Sequence, residues 1–255
     1  MRNLCVILSS GWLFILSQQL QTSLGFVVND SKEGCHVWKK QYNDGAFQTK
    51  RFISSSALLG SSASMREETR KEVKKMSEER DTSIKSFLEK VRNAGQIGSK
   101  CSPEVCEELV DIAKNELSQY SDEKPAQRSL SGFHTLLHSQ SQGGSSGNLG
   151  PLVGTVKQEF VDDTNFINSV SFFGGFLRIS LYAERTILDD TRIRVKFRET
   201  VIQLGGLEAV RKDTNGQGVW NNLFVGEYND DNGTRKLLRV METPSLFVIQ
   251  QDIDQ

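Results

Sequence analysis

A strict alternation of basic and apolar residues runs through Arg192-Ile193-Arg194-Val195-Lys196-Phe197-Arg198. A period of two places successive side chains on opposite faces of an extended chain, so this stretch predicts a β-strand with one basic and one apolar face. Residues 176–186 alternate in the same way, with Leu, Ile and Ala against Arg, Ser, Tyr and Glu. Both segments therefore indicate strands that bury one face.

Similar short segments fill the rest of the C-terminal half, separated by turn signals at Gly174-Gly175, Asp189-Asp190, Asn215-Gly216 and Asp231-Asn232-Gly233. About eight strands without intervening helices predict a mainly β protein, either an antiparallel barrel or a sandwich. Strands with one apolar and one charged face favour a closed barrel with a solvated outside. The further strands are predicted at 131–138, 153–160, 164–173, 200–204, 218–228, 234–241 and 245–251.

The interior of an eight-stranded barrel is either filled by side chains or holds one small ligand. The apolar faces of the predicted strands are rich in phenylalanine. They indicate either a plain packed core, which is the simpler interpretation, or a site for an apolar ligand. A few polar groups usually orient such a ligand, and Arg239 and Trp220 are the candidates. The candidate lining residues are Phe160, Phe166, Ile179, Leu181, Val195, Phe197, Trp220, Phe224, Arg239 and Phe247.

The N-terminal part has the composition of a targeting leader. Residues 1–63 carry six basic and three acidic side chains, so the remainder of this chain of net charge −1 is acidic. Arg2 followed by the apolar residues 4–16 predicts a signal peptide over residues 1–25. Residues 26–63 are basic and rich in Ser, Ala and Leu, which is typical of a transit peptide. The order resembles the bipartite leader of algae whose plastids lie inside the secretory system, and it predicts a plastid location.

Residues 64–120 are predicted to form a helical segment. Residues 65–93 contain neither Gly nor Pro, are dense in good helix formers, and carry a narrow apolar stripe between positions 84 and 91. Ser102-Pro103-Glu104 then has the order of an N-cap followed by the first two residues of a second helix. The segment either packs lightly on the barrel, binds a partner or lies on a membrane surface, and its mixed charges disfavour the last of these. Residues 118–129 are polar and are predicted to be a linker.

The sequence offers little for catalysis. It contains no nucleophile elbow, Walker loop, His-Glu-x-x-His motif or glycine fingerprint after a strand, so we expect a protein that is not an enzyme and has no cofactor. The pairs Asp162-Asp163, Asp189-Asp190 and Asp230-Asp231 lie at turn signals and are interpreted as turn residues. A lipocalin-type enzyme acting on a carotenoid or quinone would need a catalytic group with a perturbed pKa inside the barrel, and Glu199 is the one candidate for it.

Metal, nucleic-acid and multispanning membrane functions are disfavoured as well. Cys101, Cys106, His134 and His138 spell C-x4-C-x27-H-x3-H, but the gap between the pairs is far from zinc-finger spacing, so no metal site is predicted. The two histidines share a strand face and are expected to be exposed. The near-neutral charge argues against nucleic acid, and a mean hydropathy of −0.40 excludes a polytopic membrane protein.

An ordered series of motifs runs through the predicted barrel. It comprises Ser131-Gly132-Phe133, the segment GNLGPLVGTVKQEF at 147–160, Asn165-Phe166-Ile167-Asn168, the basic and apolar strand at 194–197, and LRVMETPSLFV at 238–248. This series resembles the plastid lipid-associated protein (fibrillin) family. That family opens with Gly-x-Trp, continues with Gly-x-Val-x-Gln and an Asn-x-Val strand, and ends in Leu-Arg-Ile or Leu-Arg-Val followed by Leu-Phe-Val.

The resemblance implies a lipocalin-like barrel domain over residues 128–255. It further implies binding or carriage of an apolar lipid, carotenoid or prenylquinone in the plastid, in association with thylakoid membranes or lipid droplets (plastoglobules). In lipocalin-like folds an Arg of the last strand packs on the Trp of the opening motif, so Arg239 is expected to lie on Phe133. The alternative is a structural or assembly factor that docks on photosynthetic complexes through residues 64–120.

Overall fold

The computed structural model describes residues 63–97, 100–141, 146–149, 151–243 and 245–253. The predicted signal peptide (1–25) and the transit-like segment up to residue 62 lie outside the described residues. Two α-helices precede the sheet: α1 (Ala63–Ala94) and α2 (Pro103–Ile112). The strands are β1 (Gly132–Ser139), β2 (Asn148–Leu149), β3 (Leu152–Val153), β4 (Thr155–Phe160), β5 (Asn165–Phe172), β6 (Leu177–Ile187), β7 (Arg192–Leu204), β8 (Leu207–Asn229), β9 (Arg235–Glu242) and β10 (Leu246–Asp252).

Eight of these strands form a closed antiparallel barrel, while β2 and β3 form a separate two-stranded ribbon. Strands β4 to β10 pair consecutively, and β1 closes the ring because it pairs with both β4 and β10. A closed ring leaves no strand edge unpaired. The prediction of a mainly β protein with an antiparallel barrel of about eight strands, preceded by a helical segment, is therefore confirmed.

The β7–β8 hairpin is longer than the sequence predicts. The segments at 192–198 and 200–204 form one strand, because a register shift between Phe197 and Glu199 accommodates Arg198 without ending the pairing. Asn215-Gly216, predicted as a turn, lies inside β8. The chain reverses instead at Gly205 and Gly206, whose φ angles of +57° and +83° suit glycine.

Buried apolar side chains form three clusters. The interior cluster lines the barrel and includes Phe160, Phe166, Leu181, Val195, Phe197, Trp220 and Phe247. The outer cluster lies between the outward faces of β8, β9 and β10 and the helices, and it includes Ile84, Phe87, Leu109, Phe224, Leu238 and Val248. A small end cluster comprises Leu149, Phe172, Ile179 and Ile202. The alternation along β9 separates the first two clusters, since Leu237 and Met241 point inward and Leu238 and Val240 outward.

The helices begin and end as their sequence predicts. Ser102 caps α2 by accepting a hydrogen bond from the Val105 N–H, and Gly95 ends α1 with a φ of +77°. Residues 80–94 belong to the same compact unit as the barrel, whereas 63–79 fall into a separate unit. In that second unit the described side chains are mostly exposed, including Val73 at 62% and Met76 at 53%. None of the helices in the described ranges is long and apolar enough to cross a bilayer.

Candidate ligand site in the barrel interior

The structure places most of the predicted lining residues together inside the barrel. Eight of the ten, namely Phe160, Phe166, Leu181, Val195, Phe197, Trp220, Arg239 and Phe247, lie on the inward faces of their strands. Ile179 lies further along β6 in the end cluster.

Phe224 is the exception and corrects the prediction. It is fully buried, but it packs in the outer cluster against the helices. A register shift between Asn222 and Phe224 reverses the alternation of β8, so that Trp220 and Val225 point inward and Phe224 points outward. A bulge of this kind leaves no clear signal in the sequence.

Aromatic rings form a connected group in the interior. The ring centroids of Phe160 and Phe166 are 5.4 Å apart, and those of Phe166 and Trp220 are 5.9 Å apart. Trp220 also lies 6.4 Å from Phe197 and 6.5 Å from Phe247. These spacings are typical of tilted aromatic pairs in contact. Side chains therefore fill this part of the barrel.

Arg239 is the most unusual interior residue, because its guanidinium is 1% exposed and forms no ion pair with any carboxylate of the described residues. Nη1 donates to Gln158 Oε1 at 3.1 Å, Nη2 donates to the Met241 sulfur at 3.2 Å, and Nε has no acceptor. Burial and the nearby charge of Arg185 lower the pKa of Arg239 to about 9, so the side chain stays charged at neutral pH.

The aromatic partner of Arg239 differs from the expected one. Its guanidinium lies 5.2 Å from the ring centroid of Phe160 on β4, in a cation–π contact. Phe133 is 59% exposed, because β1 places His134 and Leu136 inward and Phe133 outward. The expected contact of Arg239 with Phe133 is therefore wrong.

His134 lies beside this group and corrects the expectation of an exposed histidine pair. It has no exposed surface, neither ring nitrogen has a well-formed hydrogen bond with the described residues, and its ring meets Phe160 edge-on at 5.2 Å. Among those residues, the Ser131 backbone is the one polar group that favours the protonated ring. Burial, with a further contribution from the charge of Arg239, lowers the pKa of His134 to about 3. The imidazole is therefore neutral at physiological pH. His138 is also fully buried, and its Nδ1 lies 2.6 Å from the Gly95 carbonyl oxygen at the end of α1.

A short polar chain extends from Arg239 across the barrel. Gln158 accepts from Arg239 and donates through Nε2 to Asn168 Oδ1 at 2.8 Å. Asn168 and its inward neighbour Val170 are only half-buried, unlike Phe166 and Phe172 at the two ends of the strand. The interior is thus less completely covered at the middle of β5. Sequence patterning identified Arg239 but missed His134, Gln158 and Asn168, because isolated polar residues in a strand give no periodic signal.

Residues 118–131 close one end of the barrel, which corrects the prediction of a linker at 118–129. Ala126 and Leu130 join the interior cluster, and the Ala126 N–H donates to the Asp190 carbonyl oxygen at 2.9 Å. Arg185, 5% exposed, donates to the Arg128 carbonyl oxygen at 3.0 Å and lies 5.6 Å from the Phe160 ring centroid. Two guanidinium groups, of Arg185 and Arg239, therefore contact the ring of Phe160.

The turns at this end carry the three aspartate pairs, so we call it the aspartate end (turns 161–164, 188–191 and 230–234). Asp162 accepts from the Thr164 and Asn165 N–H groups, both at 2.7 Å, and Asp189 and Asp230 bond to their own turns in the same manner. Their interpretation as turn residues is confirmed. Glu199 is not inside the barrel: it accepts from Arg211 at 2.6 Å on the surface.

The opposite end has apolar turns, and we call it the glycine end (turns 173–176 and 205–206). The two turns read Phe173-Gly174-Gly175-Phe176 and Leu204-Gly205-Gly206-Leu207, and they are joined by a hydrogen bond from the Gly205 N–H to the Phe176 carbonyl oxygen at 2.7 Å. Phe173, Phe176 and Leu207 are 67%, 61% and 77% exposed. The end cluster lies directly behind these turns, since Phe172 belongs to it and Leu177 packs against it.

The described residues hold no group of three or more His, Cys, Asp or Glu side chains that could bind a metal ion. Cys101 and Cys106 form no disulfide with each other, and their sulfur atoms lie 3.1 Å apart beside the cap of α2. Burial and the neighbouring thiol raise the pKa of Cys106 to about 11, so it is a weak nucleophile at neutral pH.

The fold and its interior define a small closed β-barrel whose core combines packed aromatic rings with a buried, unpaired guanidinium. No protein-family model, curated protein or solved structure matches this chain. The resemblance to the plastid lipid-associated proteins therefore stays a prediction from sequence motifs.

Proposed function

We propose that the barrel binds and carries an apolar small molecule, such as a lipid, a carotenoid or a prenylquinone, without catalysing a reaction. The observation that carries this proposal is the position of Val170, which packs against both the end cluster and the interior cluster and is itself only half-buried. Apolar side chains therefore connect the glycine end with the interior. A ligand that inserts among them would gain about 25 cal/mol for each Å² of apolar surface that it buries.

The proposed location is the plastid, on thylakoid membranes or lipid droplets. The leader composition of residues 1–63 and the motif series over 128–251 both favour it. The contrast between the barrel ends supports contact with a lipid surface. The glycine end presents Phe173, Phe176 and Leu207 at 61–77% exposure on two linked turns, whereas the exposed apolar residues of the opposite end lie beside three aspartate pairs. Turns 173–176 and 205–206 contain no carboxylate, so contact of these turns with acyl chains desolvates fewer charges than contact of the aspartate turns.

The ligand itself is tested by mass spectrometry of an organic extract of the full chain purified from the cells that make it. We expect a stoichiometric apolar compound in the native protein. Val170→Trp should lose it, because the larger side chain fills the half-buried stretch of β5. Ser169→Trp is the matched control, since Ser169 is the adjacent outward residue, and it should retain the compound. An empty native protein of unchanged stability would contradict the proposal.

Contact with lipid is tested by flotation of the full chain with phosphatidylcholine vesicles. Replacing Phe173, Phe176 and Leu207 together by Ser should reduce vesicle binding by about tenfold or more, because each buried side chain contributes about 1.5–3 kcal/mol. The control replaces three exposed apolar residues of the aspartate end, Val161, Ile187 and Leu188, by Ser. Equal losses in both variants would show that the glycine end has no special role.

A second candidate function is docking on photosynthetic complexes through the helical segment. The exposed apolar side chains of Val73 and Met76 favour it, since large apolar side chains on a solvated helix are suited to a partner. Replacing both residues by Glu and fractionating the cells tests this function. Loss of localisation with the extracted ligand retained would support docking, and unchanged localisation would exclude a role for this helix face.

A further inference from the structure

We propose that the ligand is an amphiphile with a carboxylate head, such as a long-chain fatty acid, and that the carboxylate binds the Nε and Nη2 edge of Arg239. This inference rests on the proposed function and specifies the chemistry of the bound molecule. It distinguishes a fatty acid from the neutral carotenoids and quinones, which carry no anion.

The buried positive charge of Arg239 has no balancing anion in the part of the barrel interior that the structure describes. A buried guanidinium normally has a carboxylate partner, because an isolated charge in an apolar environment is strongly destabilising. Arg239 has none among the described residues; the charged group that acts on it, Arg185, is a second cation and has its own partner, Asp163, at 3.6 Å. His134 is neutral there. An anion from outside the chain would balance this charge.

The N–H groups of Arg239 are only partly used by hydrogen bonds within the described part of the chain. A guanidinium has five N–H donors, and only two hydrogen bonds engage those of Arg239. Gln158 occupies Nη1, whereas Nε has no acceptor and Nη2 has only the Met241 sulfur, which is a weak one. Nε and Nη2 form one edge of the guanidinium, and a carboxylate fits such an edge with two parallel hydrogen bonds.

A movement of the Met241 side chain would expose the Nε and Nη2 edge of Arg239. The thioether of Met241 covers Nη2, and Met has three rotatable bonds and no branch, so it can change rotamer at small cost. A carboxylate rather than a phosphate suits the site, because the additional oxygens of a phosphate would lie without donors in an apolar environment. The acyl chain would follow the inward face past Asn168 and Val170 toward the glycine end.

The inference is tested by calorimetric titration of the full chain with two probes of equal chain length, oleate and oleyl alcohol. We expect oleate to bind about tenfold or more tightly, since a charge-assisted bidentate pair replaces a thioether contact. In Arg239→Gln the two affinities should agree within about twofold. Arg211→Gln, at a surface arginine paired with Glu199 and Glu208, is the control and should keep the preference for oleate.

A measurement on the unsubstituted protein makes the test independent of whether Arg239→Gln folds. The chain has four methionines, so a protein labelled with 13C-methyl methionine gives few signals, and Met241→Leu assigns the relevant one. Oleate should shift the Met241 methyl resonance by displacing its sulfur, and oleyl alcohol should leave it nearly unchanged.

The outcomes separate the two proposals. Equal binding of both probes to the native chain would overturn the carboxylate inference and leave the apolar carrier in place. A preference for oleate that survives in Arg239→Gln would show that the carboxylate binds elsewhere, which also overturns the inference. Binding of neither probe would overturn the carboxylate inference, whereas the carrier function is decided separately by the organic extract of the native protein.

Discussion

The two ends of the barrel are built from the same element, the β-turn, but with opposite chemistry. At the aspartate end each turn carries a carboxylate that accepts hydrogen bonds from its own backbone. At the glycine end the turns depend on positive φ angles at Gly174, Gly175, Gly205 and Gly206, whereas of the three aspartate turns one has a positive φ, at Gly233. Both solutions reverse the chain. The difference shows that turn chemistry can give a barrel a direction without changing its fold.

The two ends also differ in what lies behind the turns. Residues 118–131 cover the aspartate end, and the buried polar groups Arg185, Arg239 and His134 lie toward that side, around Phe160. The end cluster of Leu149, Phe172, Ile179 and Ile202 lies behind the glycine end. The buried charged groups of the barrel thus lie toward its covered end.

The largest difference in stability is expected between two substitutions by Glu, one at each end of the barrel. Ala126→Glu places a carboxylate in the interior cluster, at a fully buried position, and should lower the free energy of unfolding by about 3–4 kcal/mol. Leu207→Glu changes a side chain that is 77% exposed and should alter stability by less than about 0.5 kcal/mol. Urea unfolding of both variants measures the difference, and similar losses would remove the distinction between the ends.

The acid stability of the covered half should depend on His134. Its folded-state pKa of about 3 lies below the ordinary value of 6.5, so the unfolded chain binds the proton more tightly. The contribution of neutral His134 to the free energy of unfolding is fully present above about pH 6.5. It decreases by about 1.4 kcal/mol per pH unit as the pH falls toward 3.

The change from about pH 6.5 to about pH 4.5 should therefore be about 2 kcal/mol larger in the native chain than in His134→Leu. The carboxylates titrate alike in both proteins, so their contribution to the pH dependence of stability cancels in this difference. Parallel pH profiles from urea unfolding would show that His134 is not buried as described.

Arg239→Met should raise the free energy of unfolding of the ligand-free chain by about 1–2 kcal/mol. An unpaired buried charge is less favourable than a well-packed apolar side chain of similar volume, and Gln158 keeps its hydrogen bond to Asn168. Thermal and urea unfolding measure the change. A loss of stability would assign Arg239 a structural role and weaken the case for an anion partner.

The smallest effect should appear in the turns of the glycine end. Phe173 has a φ of +52°, a conformation that costs a residue with a side chain about 1 kcal/mol, so Phe173→Gly should stabilise the fold by about 0.5–1 kcal/mol. Phe176→Gly is the matched control with a φ of −59°, and it should destabilise the fold slightly. The same sign for both variants would contradict the strain at Phe173.

Regular alternation made much of the barrel predictable. The strict period of β7 and the motifs around Phe160 and Arg239 identify strands and inward faces, because burial of one face imposes that pattern. The bulges at Arg198 and before Phe224 break the period, so the long β7–β8 hairpin and the outward position of Phe224 could not be predicted.

The polar half of the site was harder to predict for a different reason. The segment at 118–129 looks like a linker because its buried contacts are few and not periodic, with Pro125 and Ala126 buried among polar neighbours. Likewise, nothing in the sequence around His134 or Gln158 marks them as interior. Their environment is created by pairing between β1 and β4, which is a long-range property of the fold.

The closure of the ring through β1 and β10 has a consequence for how the chain folds. Thr135 pairs with Gln250, so the first barrel strand obtains one of its two partners only when the last strand is available. Such non-local pairing slows folding, because the loop entropy is lost before the contacts form. During synthesis or translocation β1 has an unpaired edge that can associate with other chains. A chaperone that shields the edge of β1 until β10 docks would therefore raise the yield of native protein.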